Sequence, residues 1–200
     1  MKKERIGVFG GTFNPVHHGH LLMGQEAAVR LDLDRVLFVP ANRQPLKRGP
    51  GLADVSHRVA MLRLATRGNP RFAVSQEEVK RAGVSYTVST LEILSETNRG
   101  DLFFVMGQDS LDEFFRWRDP ERILKLARLV VVPRGDRDLP ALSPAVRRRI
   151  IYVKPPRIGI SSTEIRRRLK RGLPVRYWTP DAVVSYIARH GLYGTGRRRG

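Results

Sequence analysis

The chain of 200 residues contains no cysteine, so disulfide bonds and thiolate metal sites are excluded. It also lacks a run of about 18 uninterrupted apolar residues, the length that a membrane-spanning helix requires. The first residues, MKKERIGVFGG, lack the apolar core of a secretion signal. We therefore expect a cytoplasmic protein that does not associate with a membrane.

Acidic residues are scarce relative to basic ones. The chain has 19 Asp and Glu against 37 Lys and Arg, a formal net charge of +18. A basic surface suits nucleic acid, an anionic membrane or small anionic ligands. The sequence shows no zinc-finger spacing, RNA-recognition aromatics or legible helix-turn-helix, so nucleic acid is disfavoured as a partner and a basic nucleic-acid-binding protein is kept as the alternative from another class.

Short apolar runs that do not alternate with polar residues recur along the chain, and helical patterns lie between them. Such runs are typical of parallel strands covered on both faces. The alternation predicts an α/β fold, a Rossmann-like open, mostly parallel sheet with helices on both faces and a helical C-terminal section. The apolar runs are RIGVF (5–9), RVLFVP (35–40), DLFFVM (101–106), RLVVVP (128–133) and IIYV (150–153). The helical patterns are HLLMGQEAAVRL (20–31), VSHRVAMLRLATR (55–67), VSTLEILSE (88–96) and PERILKLA (120–127).

The length of the chain suits one domain, and no internal repeat or low-complexity linker divides it. We expect a single domain over residues 1–193 and a basic, disordered tail over residues 194–200, because chain termini are poorly ordered unless they are packed. The sequence is compatible with a monomer and with a homo-oligomer.

The stretch GGTFNPVHHGH, residues 10–20, directly follows the first apolar run. Gly10 and Gly11 end the predicted strand, where glycine permits a sharp turn and the close approach of a ligand. A helix is expected to begin near Gly19. Free backbone N–H groups at a helix start attract phosphate, so this turn is a candidate phosphate site.

Three histidines lie in the same stretch. His17 and His20 are three positions apart across the expected helix start, so both can face one side, whereas His18 points elsewhere. A zinc site is the rival interpretation of these residues. The pair supplies only two ligands and no acidic third follows nearby, so the sequence predicts no metal-ligand set.

A second stretch, GISSTEIRRRL (159–169), also ends an apolar segment and begins a helix. Ser161 and Glu164 have the spacing of a capping box, which predicts a helix start near Ser161. The next three arginines leave the helix about 100° apart, so at most one of them serves a site on one side. The residues alone leave open which of the three arginines this is.

Together the two stretches resemble the signatures of the HxGH nucleotidyltransferases, with His17–His20 as the HxGH and 160–166 as ISSTxIR. Within that superfamily, SYTVSTL (85–91), GQD followed by Trp117, and VVSYIARHGLY (183–193) are similar to the bacterial nicotinate-nucleotide adenylyltransferases. The resemblance implies that ATP and nicotinate mononucleotide are joined to give nicotinate adenine dinucleotide and pyrophosphate in NAD biosynthesis. Mg²⁺ is expected on the ATP phosphates. The rival within the superfamily is adenylyl transfer to pantetheine phosphate, against which SYTVSTL and the Trp117 segment count.

The resemblance also implies a set of site residues. His17 and His20 are the expected catalytic residues. ATP and its phosphates are expected to contact Gly10, Gly11, Thr12, Phe13, Lys47, Ser161, Ser162, Thr163 and Arg166. Nicotinate mononucleotide is expected to contact Thr87, Asp109 and Trp117. Because the resemblance selects Arg166, we expect Arg167 and Arg168 to be solvated.

The sequence departs from the family pattern at two positions. Asn14 stands where the family usually has aspartate, so a carboxylate is not required there. Leu46 stands where the family usually has histidine, which leaves its neighbour Lys47 as the candidate for the triphosphate.

Overall fold

The computed structural model describes residues 3–42, 51–81, 83–98, 100–133, 144–156 and 158–196. Leu46 and Lys47 lie outside these ranges, and so do residues 197–200 of the predicted tail. The single domain over 1–193 and the disordered tail therefore stay predictions.

The described chain forms a six-stranded sheet in the order β3-β2-β1-β4-β5-β6, and every neighbouring pair is parallel. This confirms the predicted open, parallel sheet. The sequence did not predict the edge strand β3, which is three residues long. The strands are β1 (Arg5–Gly11), β2 (Arg35–Pro40), β3 (Phe72–Val74), β4 (Asp101–Gly107), β5 (Ala127–Val132) and β6 (Ile150–Tyr152).

Helices cover both faces of the sheet, as predicted. The helices are α1 (His18–Arg30), α2 (Val55–Thr66), α3 (Glu77–Lys80), α4 (Thr87–Thr97), α5 (Gln108–Asp112), α6 (Pro120–Leu126), α7 (Pro144–Arg147), α8 (Ser162–Lys170) and α9 (Asp181–Arg189), with short 3-10 helices at Phe114–Arg116 and Leu192–Gly194. Within the described part of the chain, no helix is long and apolar enough to cross a membrane.

Two apolar cores lie on opposite faces of the sheet because successive strand residues point to opposite sides. Phe9 of β1 belongs to the core that also includes residues of α1, α2, α8 and α9, whereas Val8 belongs to the core that includes residues of α4 and α6. The C-terminal helices α8 and α9 thus belong to the main sheet core, which confirms the helical C-terminal section.

The direction in which strands are added reverses beside β1. The chain builds β2 and β3 on one side of β1, then crosses over to place β4 on its other side. Ligands of open parallel sheets bind outside the carboxyl ends of the strands at such a switch point. In this chain those ends are Gly11 of β1 and Gly107 of β4.

Candidate active site

A cleft of about 1020 Å³ opens at the carboxyl ends of β1 and β4. Every predicted site residue that the structure describes lines this cleft. These residues are Gly10, Gly11, Thr12, Phe13, His17, His20, Thr87, Asp109, Trp117, Ser161, Ser162, Thr163 and Arg166. The remaining one, Lys47, lies outside the described residues. The structure brings these residues together, and their individual roles stay predictions.

The loop after β1 turns at Phe13 rather than at its glycines. Phe13 is buried with a φ of 49°, whereas neither Gly10 nor Gly11 has a positive φ. A Cβ atom on Gly11 would lie 2.9 Å from the Phe13 ring. Gly11 is therefore needed for close packing against Phe13. Gly10 and Gly11 end β1 as predicted, and the chain turns after them.

The two candidate catalytic histidines meet at the start of α1. Their ring centroids are 3.6 Å apart, and the His17 backbone N–H donates to His20 Nδ1 at 3.2 Å. A neutral imidazole with Nδ1 as acceptor carries its proton on Nε2, so Nε2 is the donor that His20 can offer a ligand. A Cβ atom on Gly19 would lie 3.0 Å from His17 Nδ1, so glycine leaves room for this arrangement. His18 does not line the cleft, and its N–H donates to the Trp178 carbonyl at 3.1 Å.

Asn14 connects three parts of the chain, a role that its place in the motif did not reveal. Its Oδ1 accepts from the Ala53 N–H at 3.1 Å and from the Tyr193 hydroxyl at 2.7 Å, and its Nδ2 donates to the Gly51 carbonyl at 3.0 Å. Burial raises the pKa of Tyr193 above its ordinary value, so the phenol remains a donor. An amide suits this site because it offers an acceptor and a donor together.

The second sequence signature (159–169) is hydrogen-bonded directly to the first (10–20). Arg166 Nη1 donates to the Asn14 carbonyl at 2.7 Å, and Ser162 Oγ donates to the Pro15 carbonyl at 2.8 Å. Helix α8 begins with Ser161 as its N-cap, whose hydroxyl accepts from the Glu164 N–H at 3.1 Å. The helix start is where the capping pattern predicted it, and it faces the cleft beside Arg166.

The two arginines after Arg166 differ in their surroundings. Arg167 pairs with Glu164 at 2.8 Å on the exposed side of α8. Arg168 Nε donates to the Pro174 carbonyl at 3.0 Å, and its guanidinium lies 4.9 Å from the Trp178 ring centroid. The expectation that Arg168 is merely solvated is wrong, because this side chain holds the segment before α9.

Across the cleft lie the residues predicted for the mononucleotide. Thr87 is the first residue of α4, and Asp109 lies in the first turn of α5 directly after β4. The Trp117 ring lies with its centroid 6.0 Å from that of Phe104 and 5.7 Å from that of Phe114, yet Trp117 also lines the cleft. It is therefore both a core residue on one side and a cleft wall on the other.

Sequence reasoning missed several charged residues of this wall, among them Arg118 and Glu78. Arg118 lies 4.8 Å from the Tyr86 ring centroid. Glu78 is buried and accepts from Thr90 Oγ1 at 2.8 Å. Burial raises the pKa of Glu78, although hydrogen bonds from Ser85 and Thr90 lower it in part. The charge alternation around Glu78 looks like that of any surface helix, so the sequence carries no signal for its burial.

Carboxylates in the described residues do not assemble a dedicated metal site. Nowhere in those residues do three or more His, Cys, Asp or Glu side chains form a group that could hold a metal ion. The cleft instead offers an arginine, an imidazole and helix starts, which suit phosphate oxygens.

The strands form an open parallel sheet in this order, and the cleft at its switch point offers groups that bind phosphate. These features define the class of α/β nucleotide-binding proteins. The cytidylyltransferase-like family model matches residues 8–168. The chain belongs to this cytidylyltransferase-like family, among the nicotinate-nucleotide adenylyltransferases.

Curated relatives match over nearly the whole chain. A protein of Roseiflexus sp. (strain RS-1), named "Probable nicotinate-nucleotide adenylyltransferase", is 50% identical over 96% of this chain and 100% of its own length. One of Thermomicrobium roseum with the same name is 46% identical over 96% of this chain and 92% of its own.

Among solved structures, the nicotinic acid mononucleotide adenylyltransferase of Plasmodium falciparum complexed with APC superposes with a TM-score of 0.76 at 16% identity. The superposition covers 95% of this chain and 97% of the Plasmodium falciparum chain. At that identity the likeness shows the shared fold.

Proposed function

We propose that this protein joins ATP and nicotinate mononucleotide to give nicotinate adenine dinucleotide and pyrophosphate. The observation that carries the proposal is the convergence of the two signatures, about 140 residues apart in sequence, on one cleft through the hydrogen bond from Arg166 to Asn14. The names of the curated relatives support it.

The side of the cleft that carries β1, α1 and α8 suits the triphosphate. It offers the His20 imidazole, the Arg166 guanidinium and the start of α8 after Ser161. In adenylyl transfer the phosphate of the mononucleotide attacks the α-phosphorus of ATP in line and pyrophosphate leaves. The protein's contribution is then to position the two substrates and to stabilise the developing charge. Lys47 is the further cation that the sequence proposes for the leaving phosphates.

Mg²⁺ enters this proposal with ATP, as part of the substrate. When bound it neutralises phosphate charge, and its remaining ligands are water, which it releases reluctantly. The cations and helix starts of the cleft suit the phosphates of a metal-bound ATP. The described residues offer no group of three or more His, Cys, Asp or Glu side chains that could hold the ion directly.

The opposite wall suits nicotinate mononucleotide. We propose that the backbone N–H of Thr87 receives the nicotinate carboxylate at the start of α4, a helix of eleven residues. Trp117 offers its ring face to the pyridine, a contact worth about 1 kcal/mol. We propose that Asp109, in the first turn of α5, accepts hydrogen bonds from ribose or amide groups. We propose a cytoplasmic location for the reaction.

The test is pyrophosphate release from Mg-ATP with three acceptors side by side: nicotinate mononucleotide, nicotinamide mononucleotide and phosphopantetheine. The proposal expects the highest kcat/KM with nicotinate mononucleotide. Release with phosphopantetheine alone favours the rival transferase. Strong nucleic-acid binding at physiological salt without pyrophosphate release favours the binding protein.

A further inference from the structure

Arg58 is a buried cation that contacts four backbone carbonyls around the cleft. The residue is 1% exposed. Its Nη1 donates to the carbonyls of Thr12 at 2.9 Å and Ala41 at 2.7 Å. Its Nε donates to Ala53 at 3.0 Å and its Nη2 to Asn42 at 3.2 Å. The guanidinium therefore ties the loop after β1, the end of β2 and the approach to α2 together.

Within the described part of the chain, the Arg58 side chain is hydrogen-bonded to backbone oxygens rather than to a carboxylate. Burial lowers the pKa of Arg58, although Tyr193 and then Asp54 raise that pKa in part through their charge. Within the described residues its hydrogen bonds go to carbonyl oxygens, and they use four of the five guanidinium donors. This arrangement uses the planar set of N–H donors of the guanidinium, which the ammonium group of a lysine cannot reproduce.

A chain of hydrogen bonds continues from Arg58 to the mononucleotide wall. The Asn42 N–H donates to Ser85 Oγ at 3.0 Å. The Ser85 hydroxyl is in turn hydrogen-bonded to the Glu78 carboxyl, which also accepts from Thr90 of α4. Ser85 lies two residues before Thr87, so this chain ends at the helix start proposed to receive the nicotinate carboxylate.

We propose that Arg58 is a positioning residue that holds both walls of the cleft, through Thr12 on the ATP side and through Asn42 and Ser85 on the mononucleotide side. The inference rests on the proposed function, since it concerns how that reaction's two substrates are held. Buried polar networks act as a unit when every member is satisfied, so one weakened donor displaces several segments.

The experiment combines Arg58→Lys and Ser85→Ala with the double variant, and measures KM for ATP and for nicotinate mononucleotide separately. Arg58→Lys is expected to raise both KM values about tenfold, the loss of one or two net hydrogen bonds. Ser85→Ala is expected to raise only the KM for the mononucleotide. In the double variant that KM should be no higher than in the worse single variant, because both changes break the same connection.

Two controls separate positioning from mere folding. Arg63→Lys, an exposed position on the same helix, should leave both KM values unchanged. A variant that has lost only folding stability has a smaller folded fraction and therefore a lower apparent kcat. The KM of the molecules that remain folded stays the same. The thermal unfolding curve of each protein identifies an assay temperature at which the wild type and all variants are folded.

The outcomes are distinct. Unchanged KM values in folded Arg58→Lys, or additive effects on the mononucleotide KM in the double variant, overturn the inference while wild-type activity leaves the proposed function standing. A wild type that does not use nicotinate mononucleotide overturns the proposed function itself. If Arg58→Lys does not fold, Ser85→Ala decides, because an unchanged mononucleotide KM there contradicts the connection through Asn42.

Discussion

The imidazole rings of His17 and His20 are stacked, with their planes inclined by 26°. His17 is almost fully buried, and its backbone N–H holds the Nδ1 atom of His20. The two rings therefore differ in what they can do. Both residues line the cleft, but the buried His17 is the N-cap of α1, whereas His20 has Nε2 as its donor.

His20→Ala is expected to fold normally and to lose about 10²–10³ in kcat, the typical cost of removing one donor that stabilises developing charge. His18→Ala is the matched control, since His18 does not line the cleft. Steady-state kinetics and circular dichroism of the two variants make the comparison. Equal loss of activity in both would contradict the assignment of faces.

Arg166→Ala should weaken ATP binding or turnover far more than either neighbouring substitution. Arg166 lines the cleft and bonds to the Asn14 carbonyl, whereas Arg167 pairs with Glu164 on the outer side. Arg168→Ala should instead lower the melting temperature, because its contacts with Pro174 and Trp178 are worth about 1 kcal/mol. Indistinguishable kinetics for all three variants would show that the arginines act only as a diffuse positive field.

The acid should be preferred over the amide, with kcat/KM at least about tenfold higher for nicotinate than for nicotinamide mononucleotide. Both oxygens of the carboxylate can accept from the backbone N–H groups near Thr87. The amide has only one accepting oxygen, so its NH₂ would face a donor. Trp117→Ala should reduce the use of both substrates similarly, because stacking reads the ring and not its substituent. Equal use of the two substrates by the wild type argues against the specificity while sparing adenylyl transfer.

Thr87→Pro tests the same contact directly. Thr87 is the first residue of α4 and Tyr86 before it is extended, so the backbone tolerates proline there while the N–H is removed. The preference for the acid should narrow by about tenfold, the value of a hydrogen bond to a charged group. Thr87→Ala keeps the N–H and is the control; a preference that survives Thr87→Pro would place carboxylate recognition elsewhere.

Glu78 should make stability fall as the pH rises. Burial raises its pKa above the ordinary 4.5. The folded state then holds the proton more tightly than the unfolded chain, so this stabilisation is complete below pH 4.5 and is lost as the pH rises through the raised value. Glu78→Gln has no carboxyl group to titrate at this position, so that loss of stability disappears. The melting temperature of Glu78→Gln should therefore rise relative to that of the wild type as the pH increases.

The neighbouring Glu77→Gln shows how much of such a trend comes from removing any acidic side chain of α3. A Glu78→Gln melting temperature that runs parallel to the wild type at all pH values would show that the carboxyl titrates alike in both states.

The sequence predicted the sheet and most of the cleft because those features have local signatures. Continuous apolar runs marked five of the six strands, and the spacing of His17 and His20 placed both on one side of α1. Asn14 and Arg58 could not be found in this way. Their partners, such as Tyr193 and Asn42, are distant in sequence, and the partner atoms of Arg58 are backbone carbonyls that carry no side-chain pattern. Short elements such as β3 also fall below the length at which periodicity is visible.

The most direct test of the central claim follows the α-phosphorus of ATP through the reaction. Purified wild-type protein is incubated with nicotinate mononucleotide and ATP labelled at the α-phosphorus, and the products are separated. The account predicts that the label appears in nicotinate adenine dinucleotide, with one pyrophosphate released for each dinucleotide formed. Label recovered in AMP, or no dinucleotide with either mononucleotide, would contradict adenylyl transfer at this cleft.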